Sequence, residues 1–183
     1  MSPSDPLDDI KTIESLDTEH MLDIVEKSPS FIDWCLDQYM NEENTSVQEK
    51  FNHFKKKKEI AGIFIVGMGG SAISGNVLHD WLKDEIKIPI IVVRGYKLPA
   101  YINNNWVGIF LSYSGNTEET LSTYADAKKN GIKCIGITSG GILKQLMTQM
   151  GEPFLTVPKG YQPRAAFLYM FTTLAIVASH LNV

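Results

Sequence analysis

Three hydroxyl side chains, Ser112, Ser114 and Thr117, stand close together around Gly115, directly after the apolar run Ile109, Phe110, Leu111 and directly before Glu118 and Glu119. An apolar run without polar alternation predicts a strand buried on both faces, and the small polar residues after it predict a turn into a helix. Asn116 is expected to cap that helix, whose first turn holds the two glutamates. The N–H groups at a helix start have no intrahelical partner and carry the positive end of the dipole, so the hydroxyls and N–H groups together form a site for an anion. Phosphate is the anion with enough acceptor oxygens to use all of these donors at once.

A second turn of this kind precedes it. Gly67-Met68-Gly69-Gly70-Ser71-Ala72 comes after the apolar run at 63–66 and matches G-x-G-x-x-A, one form of the dinucleotide fingerprint. A dinucleotide site also calls for an acidic residue at the end of the second strand. That position reads Val92, Val93, Arg94, where Arg94 could meet a 2′-phosphate, so an NADP-binding domain stands as an alternative. Gly67 is read as serving tight strand-to-helix packing. The turns Gly69 to Ser71 and Ser112 to Thr117 can also face one another and hold the phosphate and body of a single small molecule.

From Ile60 onward the pattern alternates. Strands are expected at 63–66, 88–93, 107–111, 132–138 and 154–157. Helices are expected at 71–83, 118–130 (closed by Gly131), 140–150 and 163–181, the last with Pro163 at its start. This order gives an α/β domain, a parallel sheet with helices on both faces. Its glycine-rich and hydroxyl-rich turns all come after strands, so they share the rim where open parallel sheets bind ligands. Residues 1–59 read as a helical N-terminal segment packed on this 60–183 domain or on a partner subunit. Its pieces are Ile10, Ile13 and Leu16; Met21, Leu22, Ile24 and Val25; a longer helix after Pro29 and Ser30 with Phe31, Ile32, Trp34, Cys35, Leu36 and Tyr39; and a piece at 47–58.

At 183 residues, with 44% hydrophobic and 21% charged content, the chain has the make-up of one soluble globular domain with a real core. No run of about 18 apolar residues predicts a membrane span. The N-terminus, with Asp5, Asp8 and Asp9, lacks the basic and apolar regions of a signal peptide, so a cytoplasmic protein is expected. A formal net charge of −4 argues against a nucleic-acid binder, and the lysines at 55–58 read as a solvated helix end. Cys35 and Cys134, the only cysteines, read as small core residues, and no metal-ligand cluster is seen.

Gly-Met-Gly-Gly-Ser (67–71), Ser-Tyr-Ser-Gly-Asn-Thr-Glu-Glu-Thr (112–120) and Pro163-Arg164-Ala165-Ala166 occur in that order, and together they resemble the sugar isomerase (SIS) domain of bifunctional phosphoglucose/phosphomannose isomerases. The resemblance covers roughly 60–183. It implies a flavodoxin-like three-layer αβα sandwich with a five-stranded parallel sheet and a 6-phosphosugar ligand, with no cofactor or metal. Carried over by position, Ser112, Ser114 and Thr117 would grip the phosphate, Gly70 and Ser71 would lie against the sugar, and Arg164 would stabilise the enediolate of an aldose–ketose isomerisation. A salt bridge or helix-end charge is the structural alternative for Arg164, and simple capping for the hydroxyls.

Members of that family carry two SIS domains, the second supplying a catalytic Glu as base and a His for ring opening. This sequence ends at Val183 with no second Ser-x-Ser-Gly turn. The expectation is an incomplete isomerase of low activity, or a stand-alone phosphosugar-binding module or phosphohexulose isomerase, working as a homodimer or paired with a second SIS domain. Glu118 and Glu119 are better explained by the helix dipole than as a base. Glu152 is expected in solvent, His79 on a helix surface, and His180 at a packing position, while His20 and His53 carry no signal. The nearly all-apolar helix containing Phe167, Leu168, Met170, Phe171, Leu174, Ala175, Ile176 and Val177 is expected to need a covering layer.

Overall fold

The computed structural model describes residues 9–41, 49, 51, 54 and 60–181. Among the described residues three short helices, α1 (Ile10–Leu16), α2 (Met21–Lys27) and α3 (Pro29–Tyr39), precede the sheet, with further helical residues at 49, 51 and 54. Then come β1 (Gly62–Val66), α4 (Gly69–Leu82), β2 (Ile90–Val93), β3 (Trp106–Ser112), α5 (Glu118–Lys129), β4 (Lys133–Thr138), α6 (Gly141–Met150), β5 (Phe154–Thr156) and α7 (Phe167–His180). The helix expected at 47–58, the lysines at 55–58, His53 and the aspartates at 5 and 8 lie outside the described residues, although Phe51 and Phe54 are helical and buried.

All five strands pair in parallel, in the order β2-β1-β3-β4-β5. This is the flavodoxin-like order, and its switch point lies between β1 and β3. Successive residues of a strand point to opposite faces, so the sheet divides its side chains between two cores. Ile63, Ile65, Ile109, Leu111, Ile135 and Ile137 pack under α3, α4 and α7. Phe64, Val66, Phe110 and Cys134 pack under α5 and α6. Every residue of β3 is buried, as a strand covered on both faces requires.

The N-terminal helices contribute to the first core through α3. Phe31 stacks on Tyr169 with ring centroids 4.2 Å apart, Cys35 Sγ lies 3.5 Å from Thr173 Oγ1, and the Tyr39 hydroxyl donates to the Thr156 carbonyl. Thus α3 and α4 supply, within the chain, most of the cover that so apolar a helix as α7 needs; Tyr169, Met170, Leu174 and Val177 are buried, while Phe167, Leu168 and Phe171 are half-buried.

Three element starts differ from expectation by two residues or more, and one of them is α4, which begins at Gly69 rather than at Ser71. The last helix begins at Phe167, not at Pro163. Residues 163–166 form a turn in which the Ala165 and Ala166 N–H groups both donate to the Gln162 carbonyl. The second strand begins at Ile90, because Pro89 has no N–H to give to a ladder. Among the described residues no helix is long and apolar enough to cross a membrane.

Candidate functional site

The turn between β3 and α5 is ordered by its own hydroxyls. Ser112 is buried, and its Oγ accepts the Gly115 N–H at 3.0 Å and lies 3.0 Å from Thr117 Oγ1. Those two hydroxyls hold two protons and use one between them, which leaves one O–H to give to an anion. Ser114 is exposed, and its Oγ accepts the Asn116 N–H at 3.2 Å, so its own proton is also free to donate. Thr117 is the N-cap residue of α5, yet its side chain makes no capping bond. The first-turn N–H groups of α5 therefore keep their donors for an outside acceptor.

Asn116, expected to cap that helix, does something else. Its Oδ1 accepts the Ile142 N–H at 3.0 Å and so caps α6 from a neighbouring loop. The β3–α5 turn is in fact built onto the β4–α6 turn. Ser139 donates to the Tyr113 carbonyl through both its N–H, at 3.0 Å, and its hydroxyl, at 2.7 Å; the Leu143 N–H donates to the Gly115 carbonyl at 2.9 Å. Buried Thr138 closes the second turn by donating to Gly140 O at 2.8 Å and accepting the Gly140 N–H at 3.1 Å. Only glycines permit this approach. A Cβ on Gly115 would stand 1.8 Å from Gly140 O, and one on Gly141 would stand 2.4 Å from Ser114 O.

On the other side of the switch point, β1 runs beside β3, with Val66 opposite Phe110, so the β1–α4 turn opens on the same rim. Gly67 packs its backbone against Ser71 and Ala72, as the packing reading expects, while Gly69 takes the left-handed conformation at φ +52. A Cβ at Gly70 would lie 3.5 Å from Pro163 O and 3.9 Å from Arg164 Cα. The turn carrying Arg164 is thus laid against the first turn of α4, next to Ser71. Arg164 is exposed, and among the described residues no carboxylate pairs with it.

Sequence reasoning missed Tyr113. Its hydroxyl donates to Pro158 O and accepts the Tyr161 N–H, both at 3.0 Å, pinning the loop after β5 to the hydroxyl turn. Burial pushes this phenol above its ordinary range, and the Tyr161 N–H partly opposes that, so it stays protonated and able to donate. The pattern of one strand could not show this, because the partners lie far along the chain.

The remaining candidates lie in other settings. Glu152 is not solvated: it is half-buried, paired with Lys128, and its Oε2 lies 3.4 Å from the Cys134 N–H. His79 pairs with exposed Asp80, and His180 stacks on Phe51 at 5.2 Å, which is the packing position expected. Arg94 is exposed after β2, at the edge of the sheet rather than at its switch point. Among the described residues no cluster could hold a metal ion.

Residues 56–147, half of the chain, match the SIS domain family. A bifunctional phosphoglucose/phosphomannose isomerase of Caldicellulosiruptor bescii is 50% identical over 122 residues, which are 67% of this chain and 36% of that protein. A D-glucosamine-6-phosphate 4-epimerase of Sulfolobus acidocaldarius is 42% identical over 109 residues, 59% of this chain and 34% of that protein. Tagatose-6-phosphate ketose/aldose isomerase from Escherichia coli superposes with a TM-score of 0.69 over 87% of this chain and 47% of that one, at 20% identity, a likeness of fold. The matched segments thus span little more than a third of the length of these curated relatives. By sheet order, by its paired turns and by the match over half its length, the chain belongs to the SIS-domain family.

Proposed function

We propose that this chain is the phosphosugar-binding part of a sugar-phosphate isomerase that interconverts glucose 6-phosphate or mannose 6-phosphate with fructose 6-phosphate. The observation that carries the reading is the hydroxyl turn at the β1/β3 switch point, whose uncapped helix start and free hydroxyl protons supply donors of the kind a phosphate accepts from. Ser114, with Thr117 and Ser112 behind it, holds the 6-phosphate. Gly70 offers backbone without a side chain to the sugar, and Ser71 lies beside it at the start of α4.

Isomerisation moves a proton between C1 and C2 through a cis-enediol, and negative charge develops on oxygen on the way. Arg164, a cation carried on the turn whose backbone lies against Gly70, is the group that stabilises it. The hydroxyls and Arg164 bind and stabilise; none of them is a base at neutral pH. The base and the ring-opening acid are proposed to come from a second SIS domain, in the same polypeptide or in a partner. The isomerase and epimerase relatives are matched over similar fractions of this chain, which supports phosphosugar binding as its own contribution.

Calorimetric titration with fructose 6-phosphate tests this. Ser114→Ala is expected to weaken binding by about 1–3 kcal/mol, the loss of a hydrogen bond to a charged group. Turnover of the chain by itself is expected near background. Unchanged affinity in Ser114→Ala would move the phosphate elsewhere, and saturable NADP binding with none for fructose 6-phosphate would replace the reading by the dinucleotide one.

A further inference from the structure

Beyond the hydroxyl turn, the loop after β5 brings a cation to the site. We propose that Lys159 is the charge partner of the bound phosphate and that Tyr113 positions it. The inference rests on the phosphate site proposed above and adds to it a residue that none of the three sequence motifs contains.

The geometry is a stack of two backbones and one side chain. The carbonyl of Gly140 presses on Gly115 in the hydroxyl turn, and the open side of Gly140 is covered by the Lys159 side chain; a Cβ there would stand 3.0 Å from both Cε and Nζ. The ammonium therefore lies against Gly140, the residue whose carbonyl meets Gly115. It is held there by the flanks of its own loop, since Tyr113 binds Pro158 O on one side and the Tyr161 N–H on the other. Lys159 is exposed, and among the described residues no hydrogen bond or ion pair engages it.

Charge balance gives this placement its purpose. The donors of the hydroxyl turn are neutral, and the dipole of α5 supplies only about half a charge. Glu118 and Glu119 stand in the first turn of that same helix and oppose a dianion. Arg164 belongs to the opposite wall, beside Gly70. A lysine on a flexible stem, unpaired and at the edge of the turn, is the point charge that a sugar phosphate lacks there.

The test is calorimetry of the full chain with fructose 6-phosphate over a series of salt concentrations, with inorganic phosphate as competitor. Lys159→Gln is expected to bind about fivefold more weakly, the scale of one exposed ion pair, and to show a shallower dependence of affinity on salt. Lys159→Arg is expected to keep both. Tyr113→Phe is expected to shift affinity and salt slope the same way, and the double variant Tyr113→Phe, Lys159→Gln to lose no more than Lys159→Gln alone. Wild-type affinity and salt slope in Lys159→Gln, alongside a clear loss in Ser114→Ala, would overturn the role of Lys159 and leave the phosphate site standing. Absence of fructose 6-phosphate binding by the unaltered chain would remove the site and this inference together. Additive losses in the double variant would overturn the positioning role of Tyr113.

Discussion

Replacing Gly115 by Ala is the sharpest test of how the hydroxyl turn is built. Gly115 has φ +72, and a left-handed alanine costs about 1–2 kcal/mol wherever it occurs. Its Cβ would also meet Gly140 O at 1.8 Å, where comfortable contact lies near ~3.5 Å. The oxygen is backbone and the Cβ is fixed by the backbone that bears it, so no rotamer relieves the overlap and the two turns must part. Parting removes the Leu143 N–H to Gly115 O bond at 2.9 Å, the Ser139 N–H and hydroxyl bonds to Tyr113 O at 3.0 and 2.7 Å, and the Ile142 N–H to Asn116 Oδ1 bond at 3.0 Å. At about 1 kcal/mol net for each, the collision adds about 4 kcal/mol to the conformational cost. Gly131 supplies the control, because it has φ +66 and nothing within 4 Å of an added Cβ. Urea denaturation of the two variants is expected to separate them by about 4 kcal/mol, with Gly115→Ala the weaker. At temperatures where both are folded, Gly131→Ala is expected to keep fructose 6-phosphate affinity and Gly115→Ala to lose it. Equal stabilities within about 0.5 kcal/mol would show that the two turns do not brace one another.

Asn116→Ala uncaps α6 from a distance and is expected to cost about 0.5–2 kcal/mol by urea denaturation; a helix α6 unaffected in amide exchange would refute the cap. Phe31→Ala removes a ring that is 3% exposed and stacked on Tyr169, and should cost about 3–5 kcal/mol in the thermal melt; a loss below about 1 kcal/mol would make α3 an appendage rather than part of the core. Burial, helped by the Glu152 charge nearby, pushes the Cys134 thiol from its ordinary 9.0 up to about 12, and burial also raises Cys35. A raised folded value means that the stabilising contribution of the protonated thiol is complete below pH 9 and is lost as pH climbs from 9 towards 12. Neither thiol is expected to react with a disulfide reagent at pH 8 until urea unfolds the chain, and prompt modification of the native protein would contradict their placement.

The parts of this fold that are legible in the sequence are those set by neighbours in the chain. The run from Ile109 to Leu111 announces a doubly covered strand because a central parallel strand has no solvent face, and every residue of β3 is buried. Gly131 marks the end of α5 because its left-handed conformation stops a helix. Pro163 misleads for a related reason: proline suits a helix start, but it suits a turn equally well, and the chain between Gln162 and Ala166 uses it in a turn. Glu152 is legible as a polar residue before a strand and no more, since its partner Lys128 stands on α5.

The candidate site divides along the same line. The hydroxyls of Ser112, Ser114 and Thr117 are local and show in the sequence; the contacts that give the turn its shape are not local. Asn116 bonds to Ile142, Tyr113 to Pro158 and Tyr161, and Gly115 rests on Gly140. Each of these is a contact between two loops that share only a rim of the sheet. A rule that reads Asn before two glutamates as a cap for their helix is sound for an isolated helix. Here the hydroxyl of Thr117 turns to Ser112 and the amide of Asn116 to α6, so the helix start that locality would have capped is the one left open. An anion site requires that open end, and an oxygen from within the turn would have taken the N–H groups that a phosphate needs. The departures from local expectation at Asn116 and Thr117 are therefore what leave the start of α5 open.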